Sequence, residues 1–270
     1  MIKLGLGAAV GALLAVAPAA FAQQAFPTPL AAAEALVDGV ARHDDEAIAR
    51  TLGKDYAKVL PVPSTSSEDV TTFLASWAHA RRIVAAGDAK AWLEVGRYGW
   101  TLPIPIVKGA SGWSFDISAT ADELRARRIG RNELDAIQVM RAYVDAQGEY
   151  KAGEGRGRYA ARLVAQPDKR DGLYWPSKVG TPPSPLGPYV AKGAPYGGYR
   201  FRQLPETDAA AAGALPVFVG WPDKWDDTGV KTFIVDRDGV VRQKDLGQES
   251  AARARAMSAF VPDASWQKVD

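Results

Sequence analysis

The chain of 270 residues contains no cysteine. That absence excludes disulfides, thiolate nucleophiles, thiolate metal sites and an acylated cysteine at the N-terminus. Histidine occurs only twice, at His43 and His79, which leaves little for a histidine-built metal centre or an acid–base relay. No Gly-x-Ser-x-Gly elbow is present, so the commonest serine mechanism has no scaffold. Basic and acidic residues number 33 and 31, with no basic run or aromatic-spaced basic stripe. Nothing here would neutralise a phosphate backbone, and nucleic acid is excluded as a partner.

What is present begins with a three-part N-terminal pattern. Lys3 supplies a positive start, Leu4 to Val16 is apolar and uncharged, and Ala20-Phe21-Ala22 places small residues at the two sites that signal peptidase reads. Residues 1–22 are therefore expected to be a cleaved signal peptide, and the mature protein is expected to be periplasmic or secreted, with no membrane span left after cleavage. The length of the mature chain suits one large domain or two small ones.

The expected fold class is α+β, in two parts. Residues 23–118 open with helices: Thr28-Pro29 reads as an N-cap and first helical position, with Leu30, Ala33, Val37 and Val40 at helical spacing. A second helix is expected from Glu46 to Leu52, ending at Gly53, and a third capped by Ser67 and carrying Val70, Phe73, Leu74 and Trp77 on one face. From Ala91 the period turns to two. Leu93 and Val95, the run Trp100 to Val107, and Trp113, Phe115 and Ile117 predict strands, with a turn at Lys108 to Gly112. Helices leading into a curved antiparallel meander resemble the nuclear-transport-factor-like folds, an analogy of architecture that carries no function.

Residues 119–270 begin with a capping box, Thr120 with Glu123, for a helix to Arg128. Gly130 is expected to interrupt it, and Asn132 to cap a second helix through Lys151. Gly153 to Arg158 superficially looks like a phosphate loop, but it comes after a helix where the fingerprint needs a strand. Pro176 to Gly198 is rich in Pro and Gly and too long for an ordinary connection. Strands are expected at Tyr199 to Leu204, Leu215 to Trp221, Val230 to Val235 and Val240 to Lys244, and a closing helix from Glu249 to Phe260.

Several stretches resemble a bacterial family known as domain of unknown function 2950. They include Arg128 to Leu134, Tyr143 to Gln147, Lys169 to Pro176, Ser184 to Pro188, Thr232 to Val235 and Gln243 to Gly247. The resemblance covers nearly all of the expected mature chain and implies no activity. More distantly, Asn132 through Tyr150, Gly198 to Phe201 and Thr232 to Arg242 resemble the globular heads of type IV pilin-like proteins. That resemblance implies a long helix packed on an antiparallel sheet and an assembly role at the cell envelope. The N-terminus departs from the pilin pattern, because the prepilin cleavage site and its long apolar helix are missing.

Two constellations are candidates for binding. Tyr174, Trp175, Tyr189, Tyr196, Trp221 and Trp225 gather in sequence around the Pro and Gly-rich segment, and stacked on a surface they would hold a peptide or glycan. Asp223, Asp226 and Asp227 lie in one loop and offer the hard oxygen ligands that calcium prefers. The bland readings are core packing for the aromatics and turn-capping for the aspartates. Ser111 reads as a turn residue, Asp236 and Asp238 as solvated loop carboxylates, and His43 as the end of a helix. The reading best supported is a non-catalytic binding or envelope-assembly module whose partner is an envelope protein, a peptide or a glycan. The alternative is a periplasmic enzyme, a hydrolase in particular, with a pocket in the first part and His79 as its best residue. No catalytic residue is assigned.

Overall fold

The computed structural model describes residues 23–59, 66–177, 179–180, 182–188, 193–205 and 213–269. The expected signal peptide lies outside them, as does Tyr189. The chain divides into two compact units between Glu123 and Leu124.

In the first unit, helix α1 (Pro29–Ala41) starts where Thr28 accepts the Ala31 N–H at 3.1 Å, satisfying an amide that has no partner within the helix. Helix α2 (Asp45–Leu52) is capped by Asp44 and ends at Gly53, whose φ of 96° suits a residue without a β-carbon. After α3 (Tyr56–Val59), helix α4 (Ser67–His79) is capped by Ser66, one residue before the expected Ser67. Ser66 wins because Asp69 sits three residues on and closes a reciprocal capping box with it.

Strands β1 (Arg81–Ala85), β2 (Lys90–Val95), β3 (Trp100–Thr101), β4 (Ile106–Gly109) and β5 (Gly112–Phe115) form an antiparallel sheet in the order β1-β2-β4-β5, with β3 also on β2. The expected single run from Trp100 to Val107 is broken, since Pro103 and Pro105 have no amide to give to a ladder. Alternation in β2 turns Ala91, Leu93 and Val95 inward, onto Ala33 and Leu36 of α1, Ile106 and Phe115.

Helix α5 (Thr120–Ala152) is continuous, which corrects the break expected at Gly130. One exposed glycine costs a helix only about 1 kcal/mol relative to alanine. The anchoring of the whole α5 face outweighs that cost. Asn132 does not cap a helix; its side-chain amide donates to Thr228 O at 2.8 Å.

The second unit is a five-stranded antiparallel sheet, β6 (Tyr199–Gln203), β7 (Phe218–Pro222), β8 (Lys231–Val235), β9 (Val241–Asp245) and β10 (Gln267–Lys268), in the order β10-β9-β8-β7-β6. One face packs on α5: Val139, Met140, Tyr143 and Ala146 meet Phe201, Phe218, Phe233 and Val235. The other is covered around α6 (Ser250–Ala256), where Val219, Trp221 and Ile234 meet Ala254, Phe260 and Trp266. Helix α6 is shorter than the expected Glu249 to Phe260; Arg202 collects the carbonyls of Ala254, Arg255 and Met257 at its end, satisfying groups a helix end leaves open. Among the described residues no helix is long and apolar enough to cross a membrane.

Candidate functional site

A groove in the second unit lies at the C-terminal end of α5. It measures about 420 Å³ and is lined by Glu149, Tyr150, Gly153, Glu154, Arg156, Trp175, Pro182, Pro183 and Pro185, a size that suits a small ligand or a short peptide segment.

Three pieces of chain build it. The first is the end of α5, which winds into a tight turn as Gly155 N–H reaches Tyr150 O at 2.7 Å and Gly157 N–H reaches Lys151 O at 2.8 Å. Gly155 lies so close to the Tyr150 ring that a β-carbon there would sit 2.7 Å from Cδ1. A β-carbon would also collide with Arg158 O, so glycine is required at that point of the turn. The same turn holds Arg156 at a φ of 46°, a left-handed conformation that is uncommon for a residue with a β-carbon and leaves its side chain exposed at the lip.

The second piece carries Trp175. Residues Leu173 and Tyr174 run beside Arg162 to Ala165: Tyr174 N–H donates to Leu163 O at 2.8 Å, and Ala165 N–H to Tyr174 O at 2.9 Å. That strip is fastened to α5 by the fully buried Gln147, whose oxygen accepts Ala160 N–H at 2.8 Å while its amide donates to Ala160 O at 3.1 Å and to the Tyr143 hydroxyl at 3.0 Å. The third piece is the proline wall, held when Trp175 Nε1 donates to Pro182 O at 3.2 Å and Leu186 N–H to Leu173 O at 2.9 Å.

Arg170 braces the lip. It pairs with Glu154 and lies over the Trp175 ring at 5.8 Å from the centroid, a cation–π position. Burial first, then the nearby Asp171 and Glu154 carboxylates, pushes the Tyr150 phenol above its ordinary range and keeps it neutral, a hydrogen-bonding group rather than a base. The floor is therefore aromatic, one wall is proline, and the lip carries both signs of charge.

The described members of the aromatic set lie in different places. Trp175 belongs to the core on the α5 face of the sheet, while Trp221 is buried in the core on the opposite face. Strand β7 sends successive side chains to opposite faces, so sequence proximity does not bring these rings together. Tyr174 is half-buried, Tyr196 is 41% exposed beside Tyr199, and Trp225 donates its indole N–H to Asp245 at 2.9 Å. Of the set, Trp175 alone among the described members lines the groove.

The calcium reading of Asp223, Asp226 and Asp227 is also corrected. Each carboxylate faces a guanidinium: Arg200 reaches Asp223 at 2.5 Å, Arg125 reaches Asp226 at 3.0 Å, and Arg128 pairs with Asp227. Among the described residues, no three His, Asp or Glu side chains gather at metal-ligand spacing. The loop is instead clamped by α5, because Asn132 also holds Thr228 O and the Glu133 carboxylate accepts the N–H groups of Val230 and Lys231, both at 2.9 Å. The segment Arg128 to Leu134, one of those that carried the family resemblance, thus has a structural task.

His79 is exposed at the end of α4 and lines neither this groove nor the small cavity beside Phe260. His43 ends α1 with a φ of 53° and its N–H on Val40 O. Asp236 is buried and spent on its own turn, accepting the Asp238 and Val240 N–H groups and Arg242 Nε. Tyr150 and Glu149 were not read as site residues, and Glu154 and Arg156 were read only within the glycine-rich run set aside as a phosphate loop; the signal for a groove is that run closing a long helix next to a proline-rich segment.

A family model described as a protein of unknown function, DUF2950, matches residues 23–269. No curated protein and no solved structure matches the chain.

Proposed function

We propose, from the premise that the chain belongs to the DUF2950 family, that it is an exported, non-catalytic binding module that holds an extended peptide segment of an envelope protein in the groove beside Trp175. The observation that carries this reading is the convergence of Trp175, Tyr150 and three prolines with Glu149 and Arg156 at the lip. Flat apolar surfaces of low conformational freedom suit an extended chain, because little side-chain entropy is lost on contact. Carboxylate and guanidinium at one lip complement the amides and mixed charges of a peptide. The N-terminal pattern supports export to the periplasm or beyond.

A long helix on an antiparallel sheet supports comparison of the second unit with pilin-like heads, and helices on a meander support comparison of the first with nuclear-transport-factor-like folds. Both comparisons stay at the level of architecture. His79, the best residue of the enzymatic alternative, lies exposed at the end of α4.

Selection of peptides from a displayed library on the mature chain tests the proposal. Glu149→Ala with Arg156→Ala, both exposed lip residues, is expected to weaken the selected peptides at least tenfold, about 1.4 kcal/mol, with the melting temperature unchanged. Peptides that bind the double variant as well as the wild type would place the binding surface elsewhere, and selection of glycans in a parallel array would replace the peptide by a sugar chain.

A further inference from the structure

The first unit presents a different surface. The turn between β2 and β3 is formed by Gly96, Arg97, Tyr98 and Gly99, with φ values of 76° and 67° at its two glycines. These left-handed positions fold the chain tightly enough to hold Tyr98 out in solvent, 94% exposed, and Trp100 beside it is 51% exposed. Trp100 meets Phe73 edge-on at 6.3 Å, and Phe73 lies one turn of α4 from Trp77. Arg81 lies over the Trp77 ring at 4.9 Å. The turn is fixed to the end of α4 by Gly96 N–H on Ala80 O at 2.9 Å.

Trp100, Phe73 and Trp77 thus form an aromatic strip that continues to Tyr98 on the turn, with Arg81 over Trp77 and the exposed Arg97 next to Tyr98 in the chain. Glu94 pairs with Arg82 at 2.7 Å on the opposite face of the sheet, one residue out of phase with Arg81 and Val95. With Arg82 offset by Glu94, Arg81 and Arg97 supply the positive charge of the tip.

We propose that this tip docks on an anionic phospholipid surface, with Tyr98 and Trp100 at the headgroup level and Arg81 and Arg97 on lipid phosphates. Tyrosine and tryptophan favour the membrane–water boundary because each joins an apolar ring to a polar atom. Arginines near the surface add electrostatic attraction to anionic lipid that falls off within a Debye length. The tip is a projecting turn, so it meets a broad surface rather than enclosing a small molecule. No described helix spans a membrane, so the contact is peripheral. This inference is independent of the groove.

The test is co-sedimentation of the mature chain with vesicles of phosphatidylethanolamine and phosphatidylglycerol, against phosphatidylcholine alone. Binding to the anionic vesicles at low salt, weakened at high salt, is expected. Tyr98→Ser is expected to lower it about tenfold and Arg97→Gln about fivefold, and both sit on an exposed turn where folding does not depend on them. Failure to sediment with anionic vesicles at low salt overturns the proposal. So does undiminished binding by Tyr98→Ser and Arg97→Gln together, and so does equal binding to phosphatidylcholine.

Discussion

Tyr143→Ala is expected to destabilise the second unit by about 4 kcal/mol, within the range for removing a buried aromatic. The ring is fully buried on α5, stacks on Phe218 with centroids 4.1 Å apart, and donates its hydroxyl to Pro216 O at 2.9 Å. Deleting it removes apolar contact with the sheet, leaves a cavity between helix and strand, and strands a carbonyl. Tyr143→Phe keeps the stack and is expected to cost only about 1 kcal/mol. Urea unfolding of the three proteins separates these contributions.

The same phenol sets an alkaline limit. Burial, opposed weakly by the Gln147 hydrogen bond, pushes Tyr143 well above the usual phenol range, and burial together with the nearby Glu133 does the same for Tyr199. The unfolded chain ionises its tyrosines near about pH 10, whereas these two stay neutral in the fold. Stability is therefore full below that pH and declines as pH rises above it, because the unfolded state then binds fewer protons. Tyr143→Phe is expected to flatten that decline, as measured by urea midpoints between neutral and strongly alkaline pH; an unchanged slope would mean that the phenol is not held neutral.

Gln147→Leu is expected to cost about 3 kcal/mol and, unlike the tyrosine change, to reach the groove. The volume is nearly conserved, so the cost is the stranding of the buried Ala160 N–H, whose acceptor is the Gln147 oxygen. Satisfied networks of this kind fix one arrangement of chain, and half-satisfied ones are worse than none. Ala160 begins the strip that runs to Ala165 and carries Trp175 on its neighbour. Hydrogen exchange should therefore quicken at Ala165, Leu173 and Tyr174 before it quickens in β7 and β8, and groove affinity should fall with it.

Much of the architecture was legible in local chemistry. Thr28-Pro29 and Gly53 mark helix ends through side-chain and backbone hydrogen bonds that reach only a few residues, and the turn from Asp236 to Gly239 closes β8 on β9 through Asp236 itself. The errors arose where a local rule met tertiary packing. Gly130 reads as a stop, yet α5 is pinned on both sides of it by Arg128 and Asn132. Strand β10 is two residues long and exists through its pairing with β9, so no periodicity announces it.

The candidate site was legible only in part, for a related reason. Trp175 was visible as an aromatic beside prolines, but its floor partner Tyr150 is delivered by the turn that ends α5, and the sequence does not show that these two pieces meet. The three aspartates looked like ligands because they are near one another in the chain. The partners of Asp226 and Asp227 lie on α5 about a hundred positions away, 101 for Arg125 and 99 for Arg128, while Asp223 pairs with Arg200 of β6.

The most direct test is to titrate a library-selected peptide into the isotopically labelled mature chain and monitor the indole N–H of Trp175, which donates to the proline wall. A shift of that resonance together with the amides of Glu149 to Arg156, lost in the Glu149→Ala and Arg156→Ala double variant, is the expected result. Shifts confined to the Tyr98 turn or to the loop around Trp225, with Trp175 unmoved, would contradict the assignment of the groove as the binding surface.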